Sequence, residues 1–160
     1  MGAEFEVFQR LALALAIGLL IGLERGFRFR EEAEGLRQAG IRTFTLFGFL
    51  GGLSGLLGRE AGDAVMVVMG LGVGALIVAG YLAGYRRQED AGMTTEVAAF
   101  VTFVLGALAV RGDMVLAAAS AVVVVALLDM KTALHAFLKR LESAELNALI
   151  KLLMISVVLL

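Results

Sequence analysis

The feature that most constrains this chain is a series of apolar segments, each about as long as a bilayer is thick, separated by short charged loops. The first segment is apolar without interruption from Leu11 to Leu23. A membrane-spanning helix needs ~20 apolar residues, within a range of ~17–25. The strands of a membrane β-barrel would instead alternate apolar and polar residues, which these segments do not. The chain is therefore predicted to be an all-α integral membrane protein.

Composition agrees with this prediction. Hydrophobic residues make up 60% of the 160 residues and charged residues 18%, against ~45–50% and ~25% in soluble domains. We predict a single transmembrane domain over residues 1–160, a bundle of five to six transmembrane helices. The expected spans are residues 5–24, 41–58, 64–85, 93–110, 114–129 and 146–160. The last is broken by Asn147 and Lys151 and stops at Leu159-Leu160 without a polar cap. That ending suggests either a terminal helix that depends on its neighbours or a chain that has been cut short.

Basic residues are distributed unequally between the two sets of loops. One side carries ten of them: Arg25, Arg28, Arg30, Arg37, Arg42, Arg86, Arg87, Lys131, Lys139 and Arg140. The other side carries three: Arg10, Arg59 and Arg111. Cytoplasmic loops of membrane proteins are enriched in Lys and Arg. We therefore expect a multi-pass protein with the ten cations in the cytoplasm and the N-terminus outside.

The segment between the fifth and sixth spans has a different pattern. Its apolar residues recur at helical spacing: Met130, Ala133, Leu134, Phe137, Leu138 and Leu141. Polar residues fill the other face: Lys131, His135, Lys139 and Arg140. This pattern predicts an amphipathic helix over residues 130–142, either on the cytoplasmic membrane surface or as a bent extension of the fifth helix.

Several classes of function are disfavoured by composition. The chain has no Cys and one His, which excludes disulfides and thiolate metal sites and argues against a Ser-His-Asp triad. Its net charge of −1 provides no basic field for nucleic acid. We expect a protein that is not an enzyme, binds no nucleic acid and has the lipid bilayer as its main partner.

Small residues recur at four-residue steps within the apolar segments. The positions predicted to pack helices together are Gly18, Gly22, Gly48, Gly52, Gly55, Gly70, Gly74 and Gly106. Such stripes let helix backbones approach closely in a membrane. They favour tight packing within one protomer, a homo-oligomer seam (a dimer first of all), or both.

Ionisable residues gather at the predicted cytoplasmic ends of the helices. Glu24 and Arg25 close the first helix, Arg42 opens the second, Glu96 lies in the first turn of the fourth and Asp129 ends the fifth. One interpretation is an ion-pair network of Glu24, Arg25, Arg42 and Glu96. A second is a cation site, because carboxylate and hydroxyl oxygens suit Mg²⁺. Its candidate ligands are Glu24, Glu96, Asp129, Thr94 and Thr95. A docking surface for a protein partner is the third.

Three short motifs resemble the MgtC/SapB family of bacterial inner-membrane proteins. They are Gly18-Leu-Leu-Ile-Gly-Leu-Glu24-Arg25, Gly40-Ile-Arg42-Thr43 and Gly92-Met-Thr94-Thr95. The resemblance covers residues 11–110 by motif and 111–160 by hydropathy, and it is closest to the N-terminal region of the longer multi-helix members. The resemblance to MgtC itself is not expected to extend to its soluble C-terminal domain.

The resemblance implies a role in Mg²⁺ homeostasis in the bacterial inner membrane, with Mg²⁺ the one candidate ligand. Two mechanisms remain open. The protein is either an ion transporter or channel module, or a non-transporting regulator that binds another membrane protein such as the F-type ATP synthase. A transporter needs a polar path through the membrane, and the stretch from Val97 to Val110 offers only Thr102.

Overall fold

The computed structural model describes residues 2–28, 30, 39–86, 93–140 and 142–159, without the side chains of residues 84–86, 132, 135, 143 and 144. Every regular element in these ranges is an α-helix, which confirms the all-α prediction. The helices are α1 (Gly2–Arg28), α2 (Ile41–Ala61), α3 (Asp63–Arg86), α4 (Thr94–Arg111), α5 (Met114–Asp129), α6 (Lys131–Arg140) and α7 (Ser143–Val158).

Four of the described helices, α1 to α4, are long and apolar enough to cross a membrane. Helix α5 is apolar but shorter, with 16 residues. Helix α7 also has 16 residues, which is shorter than the ~17–25 residues of a membrane-spanning helix, and it is not one of the four membrane-capable helices. The described residues therefore give four to five membrane-capable helices, and a sixth span is not supported. The predicted amphipathic segment forms a separate helix, α6, while residue 141 lies outside the described ranges.

The chain divides into a first unit, residues 1–126, and a second unit, residues 127–160. The core of the first unit is built from α1, α2 and α4. Helix α2 runs antiparallel to α1, because Gly22 faces the start of α2 at Ile41 whereas Gly52 faces Leu11 and Ala14. Helix α2 runs parallel to α4, because Gly51 lies against Phe103 and Gly55 against Ala107 and Val110.

Glycine is what brings these three helices so close. A Cβ added at Gly18 would lie 2.5 Å from the carbonyl oxygen of Phe44, and one added at Gly48 would lie 2.5 Å from that of Ala14. At Gly106 an added Cβ would overlap the Gly48 carbonyl oxygen. Lipid supplies little apolar driving force between helices, so van der Waals contact between their backbones becomes a main source of association.

Larger side chains fill the remaining space of this core. Ile21, Phe44 and Val110 are fully buried, as are the hydroxyl-bearing Ser54 and Thr102. The Thr102 hydroxyl donates to the Ala98 carbonyl of its own helix at 2.7 Å. Threonine commonly satisfies its hydroxyl in this way in apolar surroundings.

Helices α3 and α5 lie at the edge of the first unit. Only 6% of the most apolar window of α3 is buried, and α5 buries Ala117 and Ala121 on one face. Val73 of α3 is also buried, whereas many of the other large apolar side chains of the two helices are exposed, which suits contact with hydrocarbon. The Asp113 carboxylate begins α5 by accepting from the backbone N–H groups of Val115 at 2.7 Å and Leu116 at 3.0 Å, a standard N-cap.

Candidate functional site at one end of the bundle

The C-terminal end of α1 and the N-terminal ends of α2 and α4 lie at the same end of the first unit. This follows from the antiparallel α1–α2 and parallel α2–α4 packing. We call this the carboxylate end and define it by Glu24, Arg25, Arg42, Thr95 and Glu96. The sequence predicted that these residues share one end of the bundle, and the helix directions bring them there.

Glu24 and Arg25 form a buried ion pair between neighbours in sequence. Arg25 Nε lies 2.5 Å from Glu24 Oε2, and Arg25 Nη2 lies 2.8 Å from Glu24 Oε1. The two side chains are 3% and 10% exposed. Arg25 faces inward because it follows the buried Ile21 by four residues, one helical turn. Both oxygens of Glu24 therefore accept hydrogen bonds from one guanidinium, the bidentate geometry in which such pairs are strongest.

Arg42 does not join this pair, and the predicted network through Arg42 is not seen in the part of the chain that the structure describes. The residue is exposed in the first turn of α2, and no ion pair of Arg42 occurs among the described side chains. The reason is rotational. Phe44 is fully buried, and two residues earlier on a helix the side chain points roughly 160° away.

The start of α4 contributes two further polar side chains. Thr95 is buried, Thr94 is exposed and Glu96 is partly buried. The Oε2 atom of Glu96 is shielded from solvent and has no hydrogen-bond partner among the described atoms. A shielded carboxylate oxygen without a partner costs free energy, which a proton, a cation or a donor outside the described ranges would offset.

The described residues contain no group of three or more Asp, Glu or His side chains that could hold a metal ion. Asp129, the third predicted carboxylate, belongs to the second unit and is exposed. Glu24 already binds Arg25 through both of its oxygens. Among the predicted cation ligands in the described ranges, Glu96 and Thr95 are the two that are at least partly buried and do not pair with an Arg side chain. That pair of residues does not fit a resident Mg²⁺ site.

The predicted helix-packing positions divide into two groups. Added Cβ atoms at six of them would lie within 3 Å of another helix: Gly18, Gly22, Gly48, Gly52, Gly55 and Gly106. Two positions on α3 behave differently. The nearest neighbour of a Cβ at Gly70 is a ring carbon of Phe103 at 3.8 Å, and a Cβ at Gly74 would meet nothing within 4 Å. Close packing through Gly70 and Gly74 is therefore not found among the described residues.

Sequence reasoning missed Gly51, which faces the Phe103 carbonyl oxygen directly. The signal was present, since Gly51, Gly55 and Gly58 form a second small-residue stripe on α2 at helical spacing.

The opposite end of the bundle holds contacts that the sequence did not predict. The Nη1 atom of Arg10 donates to the carbonyl oxygens of Ala109 at 3.1 Å and Gly112 at 2.9 Å. Arg111 pairs with Asp63 at the start of α3. An isolated Arg at the edge of an apolar segment indicates that its side chain has a partner within the protein. The partners of Arg10 are backbone carbonyl groups, which every residue has, so the sequence could not identify them.

Comparison with protein families gives one match, to the MgtC family, over residues 11–137. No curated protein matches the chain, and no solved structure matches it. The matched region includes α1 to α5 almost entirely and contains both the carboxylate end and the glycine-packed core. Because the match spans well over half of the sequence, the chain belongs to the MgtC family.

Proposed function

We propose that this protein acts in Mg²⁺ homeostasis from within the bacterial inner membrane, and that it does so without conducting an ion through the α1–α2–α4 core of a single protomer. Membership of the MgtC family supports the link to Mg²⁺. Four membrane-capable helices support the location. The observation that supports a mechanism without conduction is the close backbone contact between α2 and α4.

The core has no room for an ion between its helices at the glycine contacts. Even a methyl group added to Gly106 would overlap the Gly48 carbonyl oxygen, and one added to Gly51 would overlap that of Phe103. Mg²⁺ gives up its water reluctantly and usually keeps several ligating waters. A passage through this contact would require α2 and α4 to separate.

Action as a regulator requires a surface on which another membrane protein can bind. Helix α3 offers one, because it exposes large apolar side chains such as Leu71, Leu76 and Val78. In a bilayer such a face contacts lipid, a second copy of the chain or another membrane protein. We favour a membrane-embedded partner, with a homodimer as the alternative use of the same face.

Transport remains the second candidate, and Glu96 is the observation that favours it. A shielded carboxylate oxygen with no partner among the described atoms is a suitable first contact for a cation at the membrane surface. Since the core of one protomer is closed, the ion path would then run between protomers or along the outside of α4.

Flux measurements distinguish the two candidates. The purified protein is reconstituted in liposomes that contain a Mg²⁺-sensitive dye, with an ionophore as the positive control. We expect no Mg²⁺ entry above that of protein-free liposomes. Entry that disappears in the Glu96→Gln variant would overturn the proposal and establish transport. The Arg59→Gln variant, altered at an exposed position near the other end of α2, controls for the loss of a charge.

A further inference from the structure

The second unit contains a groove between α6 and α7. Phe137 and Arg140 line it from α6, and Glu145, Ala148, Leu149 and Leu152 line it from α7. Its volume is about 630 Å³, within the ~300–1,000 Å³ range of small-molecule sites. The groove is open along one side, so that a long, flexible ligand could enter from the surface.

The floor of the groove is apolar and uncovered. Phe137, Leu149 and Leu152 are all exposed, by 56%, 46% and 66% of their surfaces. Exposed apolar surface of this kind, next to a polar rim, marks a site for a ligand, a partner or a membrane.

The rim of the groove carries charges of both signs, because Arg140 and Glu145 both belong to its lining. Arg140 lies at one edge with Lys139 beside it in the last turn of α6, and neither forms an ion pair within the described residues. Glu145, the acidic residue of the lining, is engaged elsewhere. Its Oε2 accepts from the backbone N–H of Glu142 at 3.1 Å in the capping box that begins α7. This bond leaves the Glu145 carboxylate charged, but Arg140 and Glu145 do not form an ion pair among the described side chains. The guanidinium of Arg140 can therefore meet an anion from outside the groove.

We propose that this groove binds an anionic phospholipid, with an acyl chain on Phe137, Leu149 and Leu152 and the phosphate at Arg140. Lys139 adds positive charge beside the headgroup. An apolar floor and a guanidinium without an ion pair among the described side chains match the two ends of such a lipid. A lipid without net charge would lack the attraction to that guanidinium. The apolar helix α5 ends one residue before α6 begins, so the groove lies close in sequence to membrane-embedded chain.

The chain contains no Trp, so Phe137→Trp would introduce a single fluorescent reporter into the groove. The 160-residue variant is placed in nanodiscs in which either phosphatidylglycerol or phosphatidylcholine carries brominated acyl chains, which quench Trp on contact. At equal mole fraction, we expect brominated phosphatidylglycerol to quench more strongly. Adding Arg140→Gln should weaken that preference about fivefold, which corresponds to the ~1 kcal/mol of one basic side chain near an anionic surface. Arg59→Gln, an exposed Arg on α2, should leave it unchanged.

Equal quenching by the two lipids, or a preference that Arg140→Gln leaves intact, would overturn the proposal. So would a reporter that neither lipid quenches, because another protein segment or a second copy then covers the groove. If Phe137→Trp fails to fold, Leu152→Trp places the reporter on the opposite wall and the same comparison applies. Lipid that copurifies with wild type and with Arg140→Gln, measured by native mass spectrometry, gives an independent readout without a reporter.

Discussion

Arg10 and Gly112 are joined by a hydrogen bond of 2.9 Å between a guanidinium nitrogen and a backbone carbonyl oxygen. They lie 102 residues apart in sequence, yet the bond fastens α1 to the end of α4. The last carbonyl groups of a helix have no partner within it and carry partial negative charge. The guanidinium of Arg10 donates hydrogen bonds to these carbonyl groups and places a positive charge beside them. Arg10 of α1 therefore caps the C-terminal end of α4.

Replacing Arg10 with Gln should therefore destabilise the protein, although the residue lies outside the core. Charged hydrogen bonds of this kind contribute about 1.5–3 kcal/mol, and we expect a loss in that range. Unfolding in detergent, by heat or by denaturant, measures it. Arg59→Gln is the matched control, because Arg59 is exposed and has no bond of this kind. Equal effects of the two changes would mean that Arg10 acts only through net charge.

Glycine positions 106 and 74 should respond in opposite directions to the same substitution. Gly106→Ala forces a methyl group onto the Gly48 carbonyl oxygen, and overpacking typically costs about 1–3 kcal/mol. Gly74→Ala meets nothing within 4 Å and should stabilise α3 by about 0.5–1 kcal/mol through helix propensity. Thermal unfolding of both variants checks this. A destabilised Gly74→Ala would show that α3 is covered by another protein surface at that point.

The buried pair of Glu24 and Arg25 should be far more sensitive than Arg42. Arg25→Gln leaves the Glu24 carboxylate buried and unpaired, which typically costs about 3–5 kcal/mol. Arg42→Gln removes an exposed side chain without an ion pair in the described part of the chain and should change stability by less than about 0.5 kcal/mol. The double variant Glu24→Gln with Arg25→Gln should lose less than the sum of the single changes. Additive losses would show that the two side chains act independently.

Topology can be measured directly because the chain has no Cys of its own. Gly40→Cys and Ala61→Cys place thiols at the two ends of α2, whose 21 residues span about 31 Å. We expect labelling by a membrane-impermeant maleimide in intact cells at Ala61→Cys and not at Gly40→Cys, following the distribution of basic residues. Labelling of both positions from outside would contradict a membrane-spanning α2, and the reverse pattern would invert the proposed orientation.

Much of the architecture was predictable because it depends on local composition. The helical membrane character follows from the length and hydropathy of the apolar segments, which require helices whatever their neighbours are. A change in periodicity at Met130 predicted an amphipathic helix there, and the structure decided that it is separate from α5. The motifs around Glu24, Arg42 and Thr94 together indicated the MgtC/SapB family, and the match over residues 11–137 confirms that prediction.

The pairing of side chains at the carboxylate end required the tertiary structure. From sequence, Arg42 and Arg25 were equivalent candidates to neutralise a carboxylate. The rotation of each helix about its axis decides between them, turning Arg25 inward with Ile21 and Arg42 outward opposite Phe44. That rotation is set by which glycines meet a neighbouring backbone.

The same reason explains why equivalent glycine stripes have different outcomes. Gly106 and Gly74 both lie on small-residue patterns in apolar helices, yet one touches a backbone and the other faces open space. A stripe of small residues makes it sterically possible for a second helix to approach the backbone closely. Whether anything approaches depends on the position of a second helix, and that position is a property of the whole packed core that no local stretch of sequence contains.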